Sequence, residues 1–269
     1  MTISQITAQI KEKQSFLCVG LDIDLEKVPP FILQEKDPLF AFARTIIDAT
    51  HDLCVAYKPN TAFFEAYGSK GWQSLERIME YLNTNYPDHF TIADAKRGDI
   101  GNTSTRYAKA FFKEMNFDSV TIAPYMGKDS IEPFLKFDDK FAILLALTSN
   151  DGAGDFQTQE VKGSKLYEQV LKTTQSYSNS DRLMYVVGAT KAESFETIRK
   201  IVPDAFLLVP GVGAQGGSLQ EVVKYGMNDR VGLLVNSSRG ILYASSGRNF
   251  AQAARKEAQR LQQEMSTYI

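Results

Sequence analysis

The sequence predicts a (β/α)8 TIM barrel that forms a single domain over residues 1–269. Eight short runs of aliphatic or β-branched residues alternate with longer segments of helical spacing, which is the rhythm of repeated βα units. The runs are continuously apolar, as in parallel strands covered on both faces, and no Pro/Gly/Ser-rich linker divides the chain. Because single barrels run to about 250 residues and beyond, the length favours this fold over a doubly wound open sheet.

Each predicted strand is bounded by Gly, Pro, Asn, Asp or Ser, which end extended structure. The predicted strands are 16–23, 53–59, 90–96, 119–124, 141–148, 183–188, 205–212 and 231–236. One helix is predicted to start at Asp37-Pro38, since proline suits the first turn. Further helices are predicted over 71–82, 102–115, 163–175 and 249–265.

Composition limits the partners of the chain. Thirty basic and 32 acidic residues give a net charge of -2 without a long basic run, so no nucleic-acid surface is predicted. No apolar run approaches the ~18 residues of a membrane span, and a cytoplasmic protein is expected. Cys18 and Cys54 lie in apolar stretches and are predicted to be buried. His51 and His89 match no metal-binding spacing and are predicted to be solvated surface residues, so no metal site is expected.

Charged residues gather at the carboxyl ends of predicted strands two and three, where a TIM barrel assembles its active site. They are Lys58, Asp94, Lys96 and Asp99. Asp94 and Lys96 are two residues apart, so they point to the same side of an extended strand. Alternating signs favour a partly desolvated cluster, because each unpaired buried ion costs several kcal/mol. An ordinary ion-pair network, with Asp99 as a helix cap, is the alternative.

Glycines follow the seventh predicted strand in segment 209–217, and Arg239 follows the eighth. Glycines let backbone N–H groups approach phosphate oxygens, and a guanidinium is a forked partner for them. Gly211, Gly213 and Gly216 match G-x-G-x-x-G, but they do not open a βαβαβ half. A phosphate monoester is therefore favoured over NAD, and a plain turn is the alternative.

A third segment, 148–155, follows the fifth predicted strand with the sequence TSNDGAGD. Small polar residues and glycines are typical of a mobile flap that closes over a ligand. Such a flap would place Ser149 against a base or amide edge. A solvent-exposed loop without a ligand is the alternative.

Residues 94–103, DAKRGDIGNT, resemble the D-x-K-x-x-D-I-[GP]-x-T pattern of orotidine 5'-phosphate decarboxylases. Further strings at 20–22, 57–60, 148–150, 210–215 and 238–240 are similar to that family in its order and at the predicted strand ends. The resemblance covers essentially the whole predicted barrel. The length and the Tyr-Lys-Pro-Asn and Thr-Ser-Asn strings are similar to the longer bacterial-type branch.

The resemblance implies decarboxylation of orotidine 5'-phosphate (OMP) to uridine 5'-phosphate (UMP) without metal or cofactor, the last step of de novo pyrimidine nucleotide synthesis. It assigns catalysis to Lys58, Asp94, Lys96 and Asp99. It implies further that Asp22 and Lys58 contact the ribose hydroxyls, and Ser149 the pyrimidine. It assigns Gln215 and Arg239 to the 5'-phosphate, and Pro210 to substrate binding. In the implied homodimer, Asp99 and Thr103 reach into the neighbouring subunit's site.

The residue chemistry accommodates this reaction. Loss of CO2 leaves a carbanion at C6, so the site needs a fixed cation and a proton, and Lys96 supplies both. Asp94 would face the substrate carboxylate, and two like charges ~4 Å apart repel by about 4 kcal/mol at an effective dielectric of ~20.

Two other functions remain open at this level. One is a Mg2+-dependent sugar-phosphate decarboxylase or synthase that shares D-x-K-x-x-D on the same barrel. The other is a noncatalytic nucleotide-binding barrel. Activity in excess chelator distinguishes the metal-free reaction from the first, and a binder has no need of Lys96 next to Asp94.

Overall fold

The computed structural model describes residues 1–191, 193–213 and 216–269. Its strands are β1 (Leu17–Leu21), β2 (Ala56–Pro59), β3 (Phe90–Arg97), β4 (Ser119–Ile122), β5 (Phe141–Leu147), β6 (Glu160–Val161), β7 (Ser164–Lys165), β8 (Leu183–Val187), β9 (Leu207–Pro210) and β10 (Leu233–Ser237). Strands β6 and β7 form a separate antiparallel hairpin. The other eight close into a barrel in the order β1-β10-β9-β8-β5-β4-β3-β2. The predicted eight-stranded barrel is confirmed.

Helices follow the barrel strands, as predicted. They are α1 (Ile3–Lys13), α2 (Pro38–Thr50), α3 (Ala62–Glu65), α4 (Gly68–Asn85), α5 (Gly101–Lys109), α6 (Lys128–Leu135), α7 (Ala153–Phe156), α8 (Leu166–Gln175), α9 (Ser194–Ile201), α10 (Leu219–Gly226), α11 (Arg239–Leu242) and α12 (Phe250–Ser266). The predicted helix 102–115 is in fact α5 followed by one π-helical turn, Ala110–Glu114. Among the described residues, no helix is long and apolar enough to cross a membrane.

Two compact units make up the chain. The first unit comprises Met1–Ala95, Met115–Phe117 and Asn236–Ile269. The second unit comprises Lys96–Glu114 and Asp118–Val235. The domain boundary 1–269 stays a prediction.

Helix starts in the first unit follow from local sequence. Asp37 accepts a hydrogen bond from the Phe40 amide at 3.1 Å, and Pro38 occupies the first turn, which confirms the predicted start of α2. Helix α1 was not predicted. A capping box starts it, because the Thr2 hydroxyl accepts from the Gln5 amide at 3.3 Å while the Gln5 side chain accepts from the Thr2 amide at 2.7 Å.

Strands β1 and β2 are buried along their whole lengths and pair in parallel. Gly20 lies opposite Lys58 in this register, so the carboxyl ends of both strands lie at the same edge. Cys18 and Cys54 are buried, as predicted. Burial raises the pKa of the Cys54 thiol to about 11, so this cysteine stays a protonated apolar residue.

The prediction that His89 is a solvated surface residue is wrong. Its side chain is buried, and its Nε2 lies 2.8 Å from Lys13 Nζ and 2.7 Å from the His51 carbonyl oxygen. The ammonium of Lys13 also donates to the carbonyl oxygens of His51 at 2.8 Å and Cys54 at 2.9 Å. Burial and then the neighbouring Lys13 charge lower the pKa of His89 to about 4.

This histidine gives the first unit an acid-sensitive contribution to stability. Because the folded pKa of about 4 lies below the unfolded value near 6.5, the unfolded chain binds more protons between these values. We expect the free energy of unfolding to fall by up to about 3 kcal/mol as the pH drops from 6.5 to 4. The His89→Gln variant should lose this component in urea titrations at each pH. The matched His51→Gln variant should keep it, and equal pH slopes for the wild type and His89→Gln would contradict the assignment.

Arg199 on α9 ties together turns of the second unit. Its guanidinium donates to the carbonyl oxygens of Gly226 and Ala205, both at 2.6 Å, and of Gly232 at 2.9 Å. Longer bonds reach the carbonyls of Val202 and Pro203. Burial lowers the pKa of Arg199 to about 10, which leaves it charged at neutral pH.

Replacing Arg199 by methionine should destabilise the protein by about 3 kcal/mol, because several partly buried carbonyl groups lose their donor at once. The shift in urea midpoint measures this loss. Lys200→Met is the matched control, since Lys200 is exposed and its ion pair is with the exposed Glu196, one turn back on the same helix. Its effect should stay within about 0.5 kcal/mol. Similar midpoints for both variants would argue against a bracing role for Arg199.

Candidate active site

A buried lysine between two carboxylates forms the centre of the site in the first unit. Lys58 is on β2, and its Nζ donates to Asp94 Oδ2 on β3 at 2.8 Å. The same nitrogen lies 3.6 Å from Asp22 Oδ1, just beyond β1. Parallel pairing of these three strands explains the arrangement, since their carboxyl ends share one edge. The predicted approach of Lys58 to Asp94 is therefore observed.

The two carboxylates decide the charge state of this lysine. Only 5% of the Lys58 side chain is exposed, against 11% for Asp94 and 21% for Asp22. Burial alone lowers the pKa of an ammonium, but the charges of Asp94 and Asp22 outweigh it and raise the pKa of Lys58 above its ordinary value. Lys58 is thus a cation that offsets the negative charge of the two neighbouring carboxylates.

Lys96 and Asp99 belong to the second unit. The backbone of Lys96 has φ +46°, a left-handed conformation that is rare for a residue with a side chain, and its amide donates to Thr121 Oγ1 at 2.9 Å. The Lys96 side chain is exposed. Asp99 Oδ1 accepts from the Ile100 amide at 2.7 Å, and the Asp99 carbonyl accepts from the buried Ser104 hydroxyl at 2.6 Å.

Strained backbone at Lys96 is itself informative, because such conformations cost of order 1–3 kcal/mol and concentrate at functional sites. The residue thus has both a charged, accessible side chain and a backbone held by neighbouring structure.

Arg239 begins α11 in the first unit and is exposed. It follows Ser238, which packs directly on β1. A Cβ atom at Gly20 would lie 1.9 Å from the Ser238 hydroxyl oxygen and 2.9 Å from Asn236 Oδ1. Only glycine at position 20 therefore permits this close approach, which fixes the start of the turn that carries Arg239.

The glycine loop after β9 belongs to the second unit. Gly211, Gly213 and Gly216 all have positive φ, between 70° and 97°, which explains why glycine is required. The Gly216 amide donates to the Gly213 carbonyl at 2.9 Å. Pro210 ends β9 and is half-buried. Gln215, assigned to the phosphate in the sequence analysis, lies outside the described residues.

The predicted flap after β5 is partly structured in the second unit. Thr148 forms hydrogen bonds with the side chain of Gln157. The Gln157 side chain accepts from the Thr148 amide at 2.7 Å and donates to the Thr148 hydroxyl at 2.9 Å. Helix α7 lies inside the loop, and the hairpin β6–β7 follows it. Ser149 is half-buried, and Thr103 on α5 is exposed.

Of the predicted site residues, the structure brings Lys58, Asp94 and Asp22 together, with Arg239 in the same unit. The second unit holds the others that the structure describes: Lys96, Asp99, Thr103, Ser149 and Pro210. Sequence reasoning missed Tyr243, whose hydroxyl contacts the backbone of Asp22 and Asp24. No sequence pattern signals this tyrosine, because its partners are main-chain atoms.

Comparison with known proteins agrees with this geometry. The model of the "Orotidine 5'-phosphate decarboxylase / HUMPS" family matches residues 15–257. An orotidine 5'-phosphate decarboxylase of Flavobacterium johnsoniae is 67% identical over 269 residues, which cover 100% of this chain and 98% of the relative. An orotidine 5'-phosphate decarboxylase of Christiangramia forsetii is 62% identical, and the match covers 100% of this chain and 99% of the relative.

Among solved structures, an OMP decarboxylase of Leishmania donovani superposes with a TM-score of 0.81. It is 33% identical, and the match covers 97% of this chain and 99% of that one. The predicted resemblance is confirmed over the whole barrel. This chain belongs to the orotidine 5'-phosphate decarboxylase family.

Proposed function

We propose that Lys58, Asp94, Lys96 and Asp99 carry out the decarboxylation of OMP to UMP, the reaction of pyrimidine biosynthesis that this chain catalyses. The observation that carries the proposal is the buried Lys58 ammonium, 2.8 Å from Asp94 and 3.6 Å from Asp22 at the ends of adjacent strands. Buried charges are costly unless they are paired, and the carboxyl edge of a TIM barrel is where its active site lies, so this pairing supports a functional site. The proposal assigns ribose recognition to Asp22 and Lys58.

Each charge has a separate part in the proposed mechanism. The Asp94 carboxylate, paired with Lys58 at 2.8 Å, repels the substrate carboxylate, and departure of CO2 relieves that repulsion. As the C6–carboxylate bond breaks, its electron pair stays on C6 as a carbanion. The Lys96 ammonium stabilises this negative charge and then transfers a proton to C6, which gives UMP. Ser149 is assigned to the pyrimidine, Gln215 and Arg239 to the 5'-phosphate, and Pro210 to substrate binding.

The experiment that tests this function is loss of orotate absorbance when OMP is added to chelator-treated protein. Full turnover in excess EDTA supports chemistry carried by the lysines and aspartates alone. A strict requirement for added Mg2+ would favour the metal-dependent sugar-phosphate chemistry that shares D-x-K-x-x-D. That the enzyme needs no cofactor and works in the cytoplasm stays a prediction from the sequence.

Arg239→Ala should raise the KM for OMP by about 10- to 100-fold, because a charge-assisted bond to phosphate contributes roughly 1.5–3 kcal/mol. Steady-state kinetics measure the effect. Arg248→Ala is the control, since Arg248 in the same unit stacks over the Phe31 ring at 5.3 Å. Its KM should match the wild type. A KM for Arg239→Ala within twofold of the wild type would remove Arg239 from the phosphate site.

We infer in addition a homodimer in which Asp99 and Thr103 enter the neighbouring subunit's site. The support lies in the second unit, where Ile100, Tyr125 and Met126 are large apolar side chains with exposures of 56%, 94% and 46%. A second copy that covered these side chains would remove apolar surface from water, which favours association. Ile100 directly follows Asp99, so a second copy that covers Ile100 would receive Asp99 at the same place.

A further inference from the structure

The hydroxyl of Tyr243 bridges two backbone groups next to the charged centre of the first unit. It donates to the Asp22 carbonyl oxygen at 2.9 Å and accepts from the Asp24 amide at 2.8 Å. Burial raises the pKa of Tyr243 to about 12, so the hydroxyl keeps the proton that it donates. The ring stacks on Phe42 of α2 at a centroid distance of 6.2 Å. Tyr243 thus fixes the chain on both sides of residue 23.

The same tyrosine ends the turn that Arg239 begins. Helix α11 spans Arg239–Leu242, and the Tyr243 amide donates to the Arg239 carbonyl at 3.1 Å. One short helical turn therefore carries the guanidinium at its first residue and the bridging hydroxyl just after its last. A displacement of this turn moves both groups together, because the backbone hydrogen bonds of the turn link them.

The position of the Asp22 carboxylate depends on where its main chain is held. Asp22 Oδ1 is buried and accepts no hydrogen bond from the part of the chain that the structure describes. It faces Lys58 Nζ at 3.6 Å, longer than a hydrogen-bonded ion pair. Its distance from Lys58 is therefore set by where the main chain at residue 22 is held, and Tyr243 holds that main chain.

We propose that Tyr243 is a positioning residue that couples phosphate binding at Arg239 to the placement of Asp22 beside Lys58. This inference rests on the proposed function, which assigns Arg239 to the phosphate and Asp22 to the ribose. Binding energy from the non-reacting phosphate would then act at the reacting end of the substrate through one hydroxyl. Tyr243 itself touches no reacting atom.

The test compares OMP with orotidine, which lacks the phosphate, in the wild type, Tyr243→Phe and Arg239→Ala. Phenylalanine keeps the ring on Phe42, so the fold should be retained, and the melting temperature should fall only by the loss of the two hydrogen bonds of the hydroxyl. We expect Tyr243→Phe to lower kcat for OMP by about tenfold with little change in KM, because the backbone at residues 22 and 24 is no longer held. For orotidine, we expect kcat/KM to change by less than about twofold, because no phosphate is present to couple.

Tyr67→Phe is the matched control. The Tyr67 hydroxyl accepts from the Leu25 amide at 3.1 Å, in the same loop but without contact to the Asp22 carbonyl. The preference of the Tyr67→Phe variant for OMP over orotidine should equal that of the wild type. If Tyr243→Phe slows both substrates equally, or neither, the coupling is absent and the inference is wrong. If Arg239→Ala keeps the wild-type preference for OMP, the phosphate site itself is wrong and the inference falls with it.

Discussion

Lys96→Ala should reduce kcat for OMP by at least about 10⁴-fold, since the proposed mechanism takes both the proton and the cation beside C6 from this side chain. Binding of UMP should survive, because the phosphate and ribose contacts are assigned to other residues. The affinity for UMP is measured by isothermal titration and kcat by the absorbance assay. This separation of turnover from binding is the expected result for a group that acts in the transition state.

Lys109→Ala is the control for this prediction, because Lys109 is an exposed lysine on α5 of the same unit and has no assigned role. Its kcat should equal that of the wild type. A Lys96→Ala enzyme that retains kcat within tenfold would reject Lys96 as proton donor. Lys96→Arg keeps the charge but donates a proton far less readily, so it should bind UMP and remain almost inactive.

The second large effect is complementation between two inactive variants. Lys58→Ala and Asp99→Ala should each lose at least about 10³-fold in kcat, since each removes a charge of the proposed cluster. If Asp99 serves the neighbouring subunit, a mixed dimer has one site with both substitutions and one intact site. Random reassortment of the two variants should restore about a quarter of wild-type activity, because half of the dimers are then mixed.

Differently tagged chains, purified in tandem, isolate the mixed dimer and give its activity directly. Lys58→Ala mixed with Lys96→Ala serves as a further check. Confirmed mixed dimers without recovered activity would show that each site is built within one chain. A monomer by light scattering at assay concentration would contradict the homodimer itself.

The strands of the barrel were predictable because a buried parallel strand leaves an uninterrupted apolar run. All eight runs overlap an observed barrel strand, and only β3 and β10 extend beyond their run, each by one residue. The hairpin β6–β7 could not be predicted in this way, because its four strand residues include only one apolar side chain. Lys162 and Gly163 both have positive φ between its strands, the geometry of a two-residue turn. Helix α1 was predictable in hindsight, because Ile6 and Ile10 form its buried stripe at helical spacing.

The charged centre was predictable from strand ends, since parallel strands bring their carboxyl ends to one edge. That logic placed Lys58 beside Asp94 without any coordinates. It could not reveal the buried His89, because a lone histidine has no periodic partner that indicates which way it faces. The same logic could not find Tyr243. Its partners are backbone atoms, and because every residue supplies the same backbone atoms, no residue type in the sequence indicates them.

At position 96 the residue that is best for stability differs from the one that the proposed mechanism needs, because the backbone is left-handed. Glycine at this position would relax the main chain and make the protein more robust by about 1 kcal/mol, while it removes the ammonium. A library sorted for resistance to heat should therefore accumulate glycine or asparagine at position 96. If the same library is instead selected for activity in a host that cannot make its own pyrimidines, lysine should be enriched at position 96.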